Sequence, residues 1–433
     1  MYLDGRKDST LTTLVADNGK RYQGRVLEEH YVVVGEPGSY YLTHFTPKDS
    51  KASSIAEALF ENLDGTELKN KLKIVGSDGT ATMTGPHGGC IRRLEVLLGR
   101  SVQWCICLLH LNELPLRHVF VLLDGNTRGP SCFDGPIGRN LTSTVSDWPV
   151  AEFTPIPCND FPRLSSEVEQ DLSTDQLYAY KLAVAVQQGV VDDDLRLLEV
   201  GPGVHSRWLT LACRILRFYV SLRRPSEKLV ILTKFCMLVY LPSFFQIKSN
   251  HKFTNGAPNF FSIMKRTLSF SNDEVKRTAL DVLKRNAFFA HPENTLVAML
   301  GHEETRIRKI GVDRVLTLKD KVTKSNKEVR KFTMPTLNCD ANEFFEMSDL
   351  KSDHVCIPLL LKDYSKIEIE QFVNSPLEVN HPCHNQTVER HVKLVTEASS
   401  MVSTFERRDG LIRQRISSRR LMKKFDSKNQ FDI

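Results

Sequence analysis

The stretch at residues 73–80 ties the rest of the chain to a particular kind of fold. Ile74, Val75 and Gly76 form a short apolar run that stops at Ser77-Asp78-Gly79-Thr80. A β-branched run broken by Asp-Gly reads as a short buried strand with an acid at its tip. Just downstream, residues 89–98 place Ile91, Leu94, Leu97 and Leu98 at helical spacing. Strand, acidic loop and amphipathic helix make one structural unit. Taken alone, Asp78 is a turn former, since Asp-Gly dipeptides commonly start turns.

The flanking sequence extends this pattern. At the start, Tyr2-Leu3 is an apolar stub closed by Asp4-Gly5, with Asp8 four residues on. It reads as the end of a strand only, and the chain reads as truncated before it. Residues 29–45 carry β-branched and aromatic residues on both sides of Pro37-Gly38, the signature of a hairpin. Ile55, Leu59 and Leu63, four apart, mark an amphipathic helix over 50–63. A strongly apolar run at 101–111 then leads through Cys107 and His110 into a helix start. This order predicts a mixed α/β arrangement with acids at strand ends.

Between residues 117 and 157 the composition shifts to Gly, Pro, Ser and Asp, and a long loop with a domain boundary is expected there. From 165 to about 331 the spacing is helical, over 177–187, 208–220, 229–241, 275–287, 293–300 and 307–315. Residues 355–361 look strand-like, and Asn385 opens a helix through Val388, Val392, Val395 and Val402. A basic stretch follows, containing Arg407, Arg408, Arg413, Arg415, Arg419, Arg420, Lys423 and Lys424. It suits a solvated face, a nuclear import signal or a phosphate-contacting surface.

Bulk properties set outer limits. With 433 residues and 41% hydrophobic content the chain can bury more than one core. The net charge of +6 and pI near 8.7 favour an anionic partner. The ten cysteines include no Cys-x-x-Cys pair or zinc-finger quartet, which points to reduced thiols rather than a disulfide framework. The longest apolar stretch, 229–245, is interrupted by Lys234 and Pro242, so no membrane span is expected.

Three pieces in order resemble the hAT superfamily of cut-and-paste DNA transposases. They are the strand end at Asp78-Gly79-Thr80, the run Cys107-Leu108-Leu109-His110-Leu111-Asn112, and the run Gln386-Thr387-Val388-Glu389-Arg390. Ser206-Arg207-Trp208 is similar to the family's Thr-Arg-Trp signature. The resemblance implies an α/β, RNase H-like mixed sheet interrupted by a large all-α insertion domain, with C-terminal helices completing the core. Residues 1–150 would form the first part of that core, 151–345 the insertion, and 346–433 the remainder with a dimerisation helix and a basic tail.

It further implies Mg²⁺- or Mn²⁺-dependent DNA cleavage and strand transfer, with Asp4, Asp78 and Glu389 as catalytic and metal-holding acids and Asp8 as a substitute for Asp4. Separated carboxylates suit that chemistry, because hard divalent ions prefer oxygen ligands and activate the attacking oxygen. His110, Arg207, Arg390, Arg413, Arg419 and Arg420 would contact DNA, two copies would pair through the C-terminal helices, and the protein would work in the nucleus. The companion expectation is a domesticated protein that keeps the fold, binds nucleic acid or dimerises, and does not cut. Read without the resemblance, Glu389 is a helix-surface acid within reach of Lys393, His110 a core histidine, and Trp208 a core residue. A lone Cys-x-x-His does not make a zinc site.

Overall fold

The computed structural model describes residues 1–85, 87–129, 132–143, 148–198, 200, 208–319 and 358–421. The chain divides into two compact units, residues 1–106 with 380–433, and residues 107–379.

The first unit is built on a five-stranded mixed sheet. Its strands are β1 (Tyr2–Val15), β2 (Arg21–Gly35), β3 (Tyr40–Phe45), β4 (Ile74–Ser77) and β5 (Gln103–Ile106), in the order β3-β2-β1-β4-β5. β1, β2 and β3 pair antiparallel, whereas β4 runs parallel to both β1 and β5.

β1 overturns the expected stub. It is 14 residues long and pairs with β2 along its whole length, from Tyr2 opposite Val34 to Val15 opposite Arg21. Threonine, serine and aspartate occupy both of its faces, so the two-residue period has no apolar alternation to reveal it. The burial nonetheless alternates, with Asp8 and Thr10 buried and Lys7 and Ser9 exposed. Gly19, at φ +76°, closes the β1–β2 turn in a conformation that favours glycine.

Both faces of the sheet are covered. On one, Val32, Val34 and Tyr41 pack with Val388, Leu394, Val395 and Ala398 of the helix Thr387–Met401, and with Ile412 of the helix Phe405–Leu421. Each large apolar side chain fully removed from water there contributes roughly 1.5–3 kcal/mol. On the other, Leu3 and Val33 are buried, and the helices Ala52–Leu63 and Cys90–Leu98 pack together through Ile55, Leu59, Ile91 and Leu94. The sequence therefore marks those two helices and the hairpin correctly.

The second unit is helical. The expected long loop at 117–157 is shorter than its composition suggests. Helix Leu108–Asp124 runs into the stretch, and a small ribbon of β6 (Thr127–Gly129) and β7 (Cys132–Phe133) and a helix at Pro136–Leu141 follow it. The buried Asp124 carboxylate accepts from Ile137 N at 2.9 Å and Gly138 N at 2.6 Å, starting that last helix.

Lys234 and Pro242 do not interrupt the apolar stretch as expected. One continuous helix spans Glu227–Ser249, the one helix among the described residues long and apolar enough to cross a membrane. Of its most apolar window 72% is buried inside the fold, as for a core helix. Pro242 directly follows a π turn at Cys236–Tyr240, where the helical ladder is already re-registered; separately, Asn112 Nδ2 donates to the Tyr240 carbonyl at 3.1 Å. Of the strand-like 355–361, residues 355–357 lie outside the described residues, and Leu359–Leu361 is a 3₁₀ turn.

Candidate functional site

The register between β1 and β4 organises this end of the first unit. Tyr2 pairs with Gly76, so Asp4 and Asp78 each lie two residues beyond that pair on adjacent parallel chains. Asp4 lies within β1, and Asp78 is one residue past the end of β4. Asp4 is half-buried, with Oδ1 accepting from Gly5 N at 2.9 Å. Asp78, just past β4, is also half-buried. Its Oδ1 accepts from Thr80 Oγ1 at 2.8 Å and Thr80 N at 3.2 Å, the local bonding of an Asx turn. The turn and the strand-end acid are thus the same residue in two roles.

Glu389 lies in the first turn of the helix Thr387–Met401 and is exposed. That helix runs alongside β1 in the same direction. Thr396 Oγ1 donates to Asp8 Oδ2 at 2.8 Å, and farther on the Ser400 carbonyl accepts from Arg25, whose strand position is opposite Leu11. Going back from this anchor, Glu389 is roughly 10 Å along the helix and Asp4 roughly 13 Å along the strand. Both acids therefore belong to the same end of the unit. Among the described residues, no three His, Cys, Asp or Glu side chains are gathered as a metal-holding group.

The start of this helix is fixed by Asn385, expected to open it, together with Glu36 and Ser39, which the sequence does not single out. Asn385 Oδ1 accepts from Val388 N at 3.0 Å, and its Nδ2 donates to Glu36 Oε1. Ser39 Oγ donates to the same carboxylate oxygen at 2.6 Å. Asn385 followed by an apolar helical period is a cap signal visible in sequence, but its partner 349 positions away is not.

Tyr31 is a second residue passed over. Its ring fills the space above Gly5, its register partner, and its hydroxyl donates to Glu29 Oε1 at 2.9 Å. Burial first, then the Glu29 bond and the charges of Glu29, Cys90 and Asp78, push its phenol well above the usual range. A glycine facing an aromatic residue across a hairpin is the signal that would have found it.

The remaining expected residues are spread out. Asp8 is buried, bonded to Thr396 and ion-paired with Arg6 at 3.3 Å. Arg390 is exposed beside Glu389. Arg413 is ion-paired with Asp409 at 2.6 Å, donates to the Leu42 carbonyl at 2.7 Å and lies 5.2 Å from the centre of the Tyr41 ring. Arg419 is exposed near the end of Phe405–Leu421, and the side chain of Arg420 lies outside the described residues.

In the second unit His110 is half-buried in the first turn of Leu108–Asp124, after a buried Cys107. Arg207 lies outside the described residues. Trp208 is partly buried and meets the Phe120 ring edge-on at 6.0 Å, a packing role. The eight described cysteines are all free thiols. No family model matches the chain, and no curated protein or solved structure is significantly similar to it.

Proposed function

We propose that this chain is a transposase-type protein with an RNase H-like core that cuts and joins DNA strands through Asp4, Asp78 and Glu389. The observation that carries the reading is the Tyr2–Gly76 register, since Asp4 and Asp78 each follow that pair by two residues, Asp4 within β1 and Asp78 just past β4. The helix bearing Glu389 lies along the same strand. The sheet-bearing unit is discontinuous in sequence, with the helical residues 107–379 between its parts, and this supports a core interrupted by an insertion.

The donor set of two aspartates and one glutamate offers only carboxylate oxygens, which suits Mg²⁺ or Mn²⁺. Asp4, Asp78 and Glu389 are the residues that would hold the ion; when bound, it would activate the attacking oxygen and stabilise the leaving one. The chain's own part is placement. β1 and β4 would present the aspartates, and the Asn385 bond to Val388 N holds the first turn that carries Glu389.

The test is nicking of supercoiled duplex DNA by the full-length protein with Mg²⁺ or Mn²⁺. Wild-type nicking should disappear in Asp78→Ala and Glu389→Ala. Equal nicking by Asp78→Ala would refute the assignment.

A second reading is a protein of the same fold that binds DNA without cutting it. It draws on two observations: the carboxylates are not gathered as a metal-holding group, and Thr80 occupies Asp78 Oδ1. Duplex binding by wild type with no nicking in either metal would favour it.

A further inference from the structure

We infer that the outer part of the β1–β2 hairpin is a two-stranded arm that contacts duplex DNA, a surface separate from the carboxylate end. This rests on the reading that the chain acts on DNA.

The arm follows from the ladder. β1 pairs with β4 only at Tyr2, and β2 pairs with β3 only from Tyr31 to Gly35. Among the described residues, positions 6–15 and 21–30 therefore have only each other as strand partners. An isolated ribbon of this length is marginal in water and needs a covered face. The helix Thr387–Met401 covers one, over buried Asp8 and Thr10.

The opposite face stays open and has a segregated charge pattern. By register it carries Lys7, Ser9, Leu11, Thr13 and Val15 on β1, against Glu29, Leu27, Arg25, Gln23 and Arg21 on β2. Most of these are exposed, Leu27 at 66% and Val15 at 63%. The carboxylates of Asp8 and Glu28 belong to the covered face, and Glu29, at the inner end, accepts from Tyr31. From Arg21 to Leu27 and from Ser9 to Val15 the open face thus carries two arginines, one amide and two hydroxyls beside the apolar Leu11, Val15 and Leu27, and no acid. Arg25 also donates to the Ser400 carbonyl at 3.2 Å.

A duplex fits this surface. The major groove, about 12 Å wide, admits a two-stranded ribbon, and Arg, Lys, Gln, Ser and Thr are the side chains that bond phosphates and base edges there. Each phosphate neutralised adds about 0.9 to the slope of log affinity against log salt.

The experiment compares full-length wild type with the triple variant Lys7→Gln, Arg21→Gln, Arg25→Gln and a control of equal net charge, Arg223→Gln, Lys228→Gln, Arg277→Gln. Binding to a 30-base-pair duplex is measured across a salt series, with solution mass recorded for each protein. The arm variant should lose roughly 2–3 from the salt slope and about tenfold or more in affinity near 0.1 M salt, and the control much less. Wild-type binding that the arm variant retains within twofold overturns the arm inference and leaves the function reading standing. A change of mass with unchanged DNA binding also overturns it, in favour of a contact with a second copy. No duplex binding by wild type overturns the arm and the function reading together.

Discussion

Tyr2 and Gly76 are partners across parallel strands, and the Tyr2 ring fills the space where a side chain at position 76 would stand. The ring is held in place by stacking on His381 at 4.9 Å and by its hydroxyl, 2.8 Å from the Pro382 carbonyl and 2.9 Å from Cys105 Sγ. Gly76→Ala must therefore displace either the ring or β4, at a cost of about 1–3 kcal/mol, and Gly76→Val more. Because Asp78 directly follows β4, the same change should also shift that acid. Denaturant midpoints should fall in the order wild type, Gly76→Ala, Gly76→Val. Adding Tyr2→Ala to Gly76→Ala should cost less than the sum of the two single changes. Strict additivity would show that the two positions do not compete for space.

Asp4 and Asp8 share a strand face and separate into different roles. Asp8 is 5% exposed and anchors the helix Thr387–Met401 through Thr396, whereas Asp4 is half-buried at the end shared with Asp78. Asp8→Ala removes one acceptor of the Thr396 hydroxyl, which keeps its bond to the Val392 carbonyl, and the ion pair of a half-exposed arginine, so stability should fall by about 0.5–1.5 kcal/mol. Asp8→Asn should still nick DNA where wild type does. Asp4→Asn should do the reverse, losing nicking with little change in midpoint. An active Asp4→Asn together with a stable, inactive Asp8→Asn would exchange the two assignments.

Much of the sheet was legible because its signals are local. The apolar run at 74–76, the Pro37-Gly38 turn and the four-residue spacing of Ile55, Leu59 and Leu63 each specify one element without reference to distant residues. The first strand was misread because its stability comes from a cross-strand ladder rather than from an apolar face of its own. The long core helix was misread for a related reason. Lys234 and Pro242 look like breaks, but a π turn directly precedes Pro242 and the helix continues through both. At the candidate site, Asp78 was visible as a strand-end acid. The Tyr2–Gly76 register, the Asn385–Glu36 bond and the Tyr31 ring over Gly5 depend on residues brought together only by folding.

The amide of Asn385 joins two functions whose loss can be separated. Its oxygen caps the first turn of the helix bearing Glu389, and its nitrogen donates to Glu36. Asn385→Ala removes both bonds and should cost about 1–2 kcal/mol. Asn385→Asp keeps a good cap acceptor but turns a carboxylate toward Glu36, so it should be at least as destabilising as the alanine. The double variant Asn385→Asp, Glu36→Gln restores a donor opposite the new carboxylate and should recover much of the loss. Midpoints that place Asn385→Asp level with wild type would show that Glu36 does not hold the cap.

Part of the acid sensitivity should come from His44. The ring is 1% exposed and stacks on Phe405 at 4.6 Å, and Nδ1 lies 2.7 Å from the Tyr41 hydroxyl, which itself donates to Asp409. Nδ1 must then be the protonated nitrogen, and Nε2 is buried without a hydrogen-bond partner. Burial pulls the imidazole down to about 4, the positive neighbours His30, Arg408 and Arg413 add to this, and Asp409 opposes it. Above about pH 6.5 the ring is neutral both folded and unfolded, so it contributes no pH dependence. Below that the unfolded chain takes up a proton that the folded ring refuses until about pH 4. Stability should therefore fall across this window, by on the order of 2–3 kcal/mol from this group, and level off below it. His44→Phe removes the titration and keeps a ring against Phe405, so its denaturant midpoint should fall less steeply between pH 6.5 and 4.5 than that of wild type. His381, which burial pulls down to about 3, and His30, also lowered by burial, keep some slope in both proteins. Parallel slopes in wild type and His44→Phe would show that the His44 imidazole does not contribute to the acid response.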